Sequence, residues 1–321
     1  MTKIGYALSS EEHTPQALVD DARKAEEAGF EFALISDHFH PWIDKQGHSP
    51  FVWSVIGGIS QVTEKLELGT GVTCPTMRIH PAIIAQAAAT SALLMPGRFF
   101  LGVGTGENLN EHILGYPWPP WEIRIEMLAE AVEVIRILWE GENTTFYGAH
   151  YTVEDARLYS VPEKAPPIMV AAGGDDAAER AGKFGDGLIS TSPKAKLVER
   201  FETAAGDKKR PRYGQVTVCW AKSEEEALNT AYEWWPNAAL PGSLSQELRI
   251  PQYFEEAVKL VDKKDVKKKL VLGPDPQAYL ENIRKFVDAG YDHVYIHQIG
   301  PDQEGFIDFA KREILPLPEF K

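Results

Sequence analysis

Short runs of apolar and β-branched residues alternate with stretches whose apolar side chains recur every three or four positions, and the alternation persists along the whole chain. Segments 3–8, 32–36, 66–72, 98–104, 168–172, 187–191, 215–221 and 293–298 read as strands. Between them, Leu18, Ala22, Ala25 and Ala28 ahead of Gly29 mark one amphipathic helix, and Leu128, Ala131, Val132, Ile135 and Leu138 mark another. Such alternation, without an internal repeat, predicts a parallel sheet with helices outside. A closed barrel and a doubly wound sheet share this pattern. The dinucleotide form of the wound sheet places G-x-G-x-x-G after its first strand. Here that strand runs into Ser9-Ser10-Glu11-Glu12, and the glycines of Gly102-Val103-Gly104-Thr105-Gly106 follow the fourth strand with a different spacing. No G-x-x-x-x-G-K-[ST] loop occurs either. The expectation is a single (β/α)8 TIM barrel over residues 1–321, with a hairpin insertion near 141–162. A second insertion near 234–251, carrying Pro236, Pro241, Gly242 and Pro251, is expected to cover the C-terminal mouth.

At 321 residues, 44% of them hydrophobic, the chain can bury one large core. Its 33 basic and 47 acidic side chains give a net charge of −14, which repels phosphodiester backbones and anionic lipid. No nucleic-acid or membrane partner is expected. An anionic substrate would need a local basic pocket against this field, for which Lys194 and the lysine-rich run 263–269 are the candidates. Cys74 and Cys219 are the two cysteines, and a chain of this size needs no disulfide, so a reducing cytoplasm is expected. The N-terminus lacks the apolar core of a signal peptide, and no apolar run approaches the ~20 residues that span a bilayer.

In a TIM barrel the loops after the strands build the active site. His38 follows the second strand, with Asp37, His40 and Trp42; its side chain titrates near neutral pH and can accept a hydroxyl proton, or else only hydrogen-bond to neighbours. Glu107 follows the fourth strand, where desolvation would favour its acid form or a helix dipole its carboxylate. Gly173-Gly174 ahead of Asp175 either opens a helix N-terminus to a ligand or makes a tight turn. Trp42 either stacks on a ring or packs within its loop. His38-x-His40 is also the opening of some metal-dependent barrel hydrolases, but no later loop supplies matching ligands, so no metal is expected.

Taken together, Ser36-Asp37-His38-Phe39-His40-Pro41-Trp42 and Gly102-Val103-Gly104-Thr105-Gly106-Glu107-Asn108-Leu109-Asn110-Glu111 resemble the luciferase-like, coenzyme F420-dependent oxidoreductases, in particular their glucose-6-phosphate dehydrogenase branch. The likeness runs through Leu68-Gly69-Thr70-Gly71-Val72, Ala171-Ala172-Gly173-Gly174 and Gly185-Asp186-Gly187. The resemblance implies coenzyme F420 as hydride acceptor from a sugar, sugar phosphate or similar secondary alcohol, and a homodimer is expected. It implies His38 as base, Glu107 as proton donor to the ring, and Trp42 and Glu11 as accessory pocket residues. Asp37, Val72, Asn110, Gly173 and Gly174 match coenzyme contacts, and the Gly71-Val72 step matches a bulge often built on a cis peptide. Thr191 and Lys194 match two phosphate-binding positions of the sugar-phosphate branch. Pro193 interrupts the loop between them, and Lys269 stands where that branch has an arginine, without its bidentate reach. Near a fourth cationic position the mouth insertion carries Glu247. A neutral alcohol is therefore the expected substrate. A flavin-dependent monooxygenase of the same superfamily, or a metal-dependent hydrolase using His38 and His40, are the alternatives.

Overall fold

The computed structural model describes residues 2–206 and 209–317; residues 1, 207–208 and 318–321 of the expected domain lie outside the described residues. Eight parallel strands run β1 (Lys3–Leu8), β2 (Phe32–Ile35), β3 (Glu67–Thr70), β4 (Phe99–Val103), β5 (Ile168–Ala171), β6 (Gly187–Ser190), β7 (Arg212–Cys219) and β8 (His293–Gln298). Each pairs with the next, and β8 returns to β1 in the register Lys3↔His293 to Tyr6↔Ile296, so the sheet closes. The chain folds as a TIM barrel. The first helix, Pro15–Ala28, shows how local signals set the boundaries. Thr14 caps it by accepting from the Ala17 N–H, Pro15 opens it, and Gly29 ends it at φ 109°.

The barrel interior is filled by side chains rather than left as a pore. Phe32, Leu34, Phe100, Met169, Ile189, Tyr213 and Tyr295 pack together there. Glycines on neighbouring strands make this possible: a Cβ on Gly5 would meet the Phe32 ring at 2.4 Å, and one on Gly69 the Phe100 ring at 2.0 Å. Gly102 is tighter still, because its Cβ would stand 1.9 Å from the Thr70 carbonyl oxygen, a backbone atom fixed by the ladder. The Thr70 hydroxyl bonds both the N–H and the C=O of Gly102 across this seam. Gly102→Ala should therefore cost about 1–3 kcal/mol or more and lower Tm in thermal unfolding followed by circular dichroism. An unchanged Tm would show that β3 and β4 can spread.

A hairpin pairs Thr144–Tyr147 with Thr152–Ala156. The mouth insertion is more regular than its prolines suggested: a 3-10 turn at Pro236–Ala239 and helices Gly242–Glu247 and Pro251–Val258 cross the C-terminal end of the barrel. Helices too short for a clear period are invisible to periodicity. Strand β7 begins three residues before the segment read from sequence, because Arg212 and Tyr213 pair with β6 and β8. Among the described residues no helix is long and apolar enough to cross a membrane.

Candidate active site

The loops after the strands surround a cleft of about 1020 Å³ at the barrel mouth. One wall carries the proton-bearing groups. Glu11, just past β1, is buried; its Oε2 accepts from the Ser36 hydroxyl at 2.6 Å and the Ser9 hydroxyl at 3.1 Å, and its Oε1 lies 3.1 Å from His38 Nδ1. Burial alone pushes the Glu11 carboxyl up, but the His38 imidazole and the Ser36 hydroxyl outweigh it and hold the group below the usual carboxylate range. Glu11 faces Nδ1 as an ion-pair partner without an aligned hydrogen bond, and on the other side of the ring Glu107 Oε2 stands 4.0 Å from Nε2. The Trp42 ring meets the His38 ring edge-on at 5.0 Å and rests on Phe254 of the mouth insertion at 5.2 Å.

Glu107 heads the short helix Asn108–Glu111 without capping it through its side chain. Gly106 turns the chain there at φ 78°. The desolvated carboxyl in this loop is not Glu107, which is one-third exposed at the cleft, but Glu111 one turn further in. Burial pushes the Glu111 carboxyl up to about 7, against the opposing charge of Arg78. Arg78 bridges Glu111 to Asp37: its backbone N–H donates to Glu111 at 2.8 Å and its guanidinium to Asp37 at 2.8 Å, and Thr73 adds a hydroxyl at 2.7 Å. Asn110 straps the loops after β2 and β4 together. Its Oδ1 accepts from the N–H groups of Phe39 and His40, and its amide reaches Glu107 Oε2 at 3.4 Å.

Leu34, Val72, Ala171 and Ile189 contribute apolar side chains to the lining. The Gly71–Val72 peptide is cis, as the resemblance implied. A Cβ added at Gly173 or Gly174 would meet nothing within 4 Å, so the backbone there borders open space.

Of the residues read from sequence, Glu11, His38, Trp42, Val72, Glu107, Gly173, Gly174 and Thr191 line this cleft. Asp37 and Asn110 do not; they are buried behind it, bonded into the loops. Lys194 and Lys269 are exposed and also outside the lining. His40 parts company with His38: its Nδ1 lies 2.9 Å from the Leu109 carbonyl and its ring stacks on His112. Sequence reasoning passed over Ser36, Arg78, Glu12, Gln215 and His297. Arg78 carried the one usable signal, as the lone cation in the loop after β3.

A sequence model of the luciferase-like monooxygenase family matches residues 1–293 of this chain. The chain belongs to the luciferase-like family. Among luciferase-like relatives, the F420-dependent glucose-6-phosphate dehydrogenase of Nocardia farcinica is 38% identical over 98% of this chain and 97% of its own length. The enzyme of the same name from Mycolicibacterium smegmatis is 37% identical over the same shares. A solved luciferase-like structure, an F420-dependent secondary alcohol dehydrogenase in complex with an F420-acetone adduct, is 30% identical and superposes with a TM-score of 0.91, covering 100% of this chain and 99% of that one.

Proposed function

We propose that this protein is a coenzyme F420-dependent dehydrogenase that oxidises a neutral secondary alcohol, with His38 as base and Glu107 as proton donor. The observation that carries the reading is the placing of His38 Nε2 and Glu107 Oε2, 4.0 Å apart and with buried Glu11 beside His38, in one cleft that Leu34, Val72, Ala171 and Ile189 also line. Those apolar side chains fit a flat deazaflavin ring. The glycine pair at 173–174 leaves space for the rest of the coenzyme, and Val72 would support its back. When bound, the deazaflavin supplies the hydride acceptor.

The chain's own residues then handle protons. His38 Nε2 takes the hydroxyl proton as the carbon loses hydride, and the resulting imidazolium is stabilised by Glu11. Glu107 Oε2 delivers a proton on the ring side. The proton taken from the alcohol balances the proton delivered to the ring, so a turnover needs no net proton from water; His38 Nε2 and Glu107 Oε2, 4.0 Å apart, would exchange it through a bridging water or the substrate. Trp42, wedged between His38 and Phe254, closes the substrate side.

The absence of lysine and arginine from the cleft lining, among the described residues, supports a neutral substrate. Arg124, the nearest buried guanidinium to the mouth insertion, is engaged by Glu247 at 3.6 Å. A phosphate bound by charge-assisted hydrogen bonds loses ~1.5–3 kcal/mol, or about 10- to 100-fold, when one is removed. Lys194→Ala should therefore leave kcat/KM nearly unchanged, and glucose 6-phosphate should hold no large advantage over glucose or simple secondary alcohols. The check is F420 reduction followed by absorbance for each alcohol, in wild type and variant. A strong preference for the phosphorylated sugar that collapses in Lys194→Ala would refute the neutral-substrate reading, and reduction of a flavin instead of F420 would refute the coenzyme.

A further inference from the structure

Beside Glu11, the next residue backs a second histidine of the cleft. Glu12 is buried on the far side of the lining; its Oε1 accepts from the Gly300 N–H at 2.9 Å, while its Oε2 has no hydrogen-bond partner and lies 3.7 Å from His297 Nε2. His297 Nε2 likewise has no hydrogen-bond partner, and the ring is buried against the edge of Trp235 at 4.8 Å. On its other side His297 Nδ1 stands 3.4 Å from Nε2 of Gln215, which also lies 3.1 Å from the Thr217 hydroxyl. Gln215 and His297 are brought together by the pairing of β7 with β8, which sets Gln215 opposite Tyr295 and Thr217 opposite His297.

The proton positions follow from satisfying these buried groups. A buried carboxylate oxygen needs a donor; His297 Nε2, at 3.7 Å, is an ion-pair neighbour of Glu12 Oε2 rather than a hydrogen-bond partner, and a proton on that nitrogen suits both unpartnered groups better than one on Nδ1. A neutral imidazole protonated on Nε2 presents a lone pair on Nδ1, so Gln215 must turn its amide nitrogen toward it. The amide nitrogen spends its two N–H groups on His297 and Thr217. Its carbonyl oxygen is left over, with no partner among the described residues, on a side chain that lines the cleft. The hydrogen-bond network decides which end of the amide faces the ligand.

We infer that the Glu12–His297–Gln215 chain holds the Gln215 carbonyl as an acceptor for a second hydroxyl of the substrate, making Gln215 a specificity residue and Glu12 and His297 positioning residues. An acceptor-only group selects a donor, and Thr191, Ser192 and Ser243 line the same cleft with further hydroxyls. The substrate class is accordingly a polyol or sugar, whose retained hydroxyl is held while the neighbouring carbinol is oxidised. This rests on the dehydrogenase reading above.

The test compares a polyol such as glycerol or glucose with propan-2-ol in the F420-loaded protein. Gln215→Met keeps the length and removes the acceptor; the ratio of kcat/KM for the polyol to that for propan-2-ol should fall about 10- to 100-fold, and the loss should sit in KM more than in kcat. Independently of turnover, nitrogen-15 NMR of histidine-labelled full-length protein should show His297 as the Nε2–H tautomer, with that preference lost in Glu12→Gln. An unchanged ratio in Gln215→Met, or an Nδ1–H tautomer in the wild type, overturns the inference. If neither alcohol reduces F420, the dehydrogenase reading alone fails. Calorimetric titration of the polyol then decides the subsite: weaker binding in Gln215→Met upholds it and equal binding overturns it.

Discussion

His38→Ala is expected to lower kcat by about 10²–10⁴-fold, the range supplied by a positioned general base, while the dissociation constant for F420 stays within a small factor of wild type. The reason is geometric. The imidazole lines the cleft with Nδ1 facing buried Glu11 at 3.1 Å, so its Nε2 is the nitrogen proposed to act on the reacting hydroxyl, and coenzyme binding does not depend on it. Removing it takes away a contact made in the transition state, which lowers kcat and kcat/KM together. The buried Glu11 carboxylate left behind is held by the hydroxyls of Ser9 and Ser36, so the loop retains its anchors and the variant should fold. Steady-state F420 reduction gives the rate, and fluorescence titration of F420 gives the affinity. Turnover near the wild-type rate would remove His38 from the role of base.

Glu107→Gln is expected to reduce kcat by a comparable 10²–10⁴-fold, with a change in pH dependence that a merely structural residue would not produce. Glutamine preserves the shape and the contact with Asn110, but it has no ionisable proton to deliver. In the wild type, oxidation requires a proton on Glu107 that the ring can take, and the variant has none to give, so its profile should differ from that of the wild type. The measurement is kcat/KM against pH for both proteins with the same alcohol. Superimposable profiles would show that Glu107 is not the proton donor.

His38 and Glu107 were legible because both follow predicted strands, and barrel chemistry gathers at those loops. The environment around them was not. The sequence left Glu107 open between a desolvated acid and a dipole-stabilised carboxylate; the turn at Gly106 leaves Glu107 at the lip and drives Glu111 inward onto Arg78. Asp37 and Asn110 were read as touching the coenzyme directly, whereas both stand behind the cleft and join the loops to one another. Lys269 aligned with a phosphate-binding arginine, but it follows the helix Lys263–Lys267 on the exposed side, outside the cleft lining.

The amino-acid sequence alone carried the barrel and the order of its strands and helices, because strand and helix periodicity, caps and turn glycines are properties of neighbouring residues. Which charges are buried, and which side chains share a cleft, depended on closing the sheet. The Glu12–His297 contact joins the two ends of the chain and exists only because β8 pairs with β1. The Gln215 amide takes its orientation from that same closure. Desolvation and hydrogen-bond satisfaction act over a few ångströms in space rather than along the chain, so they were decided only when the eight strands met.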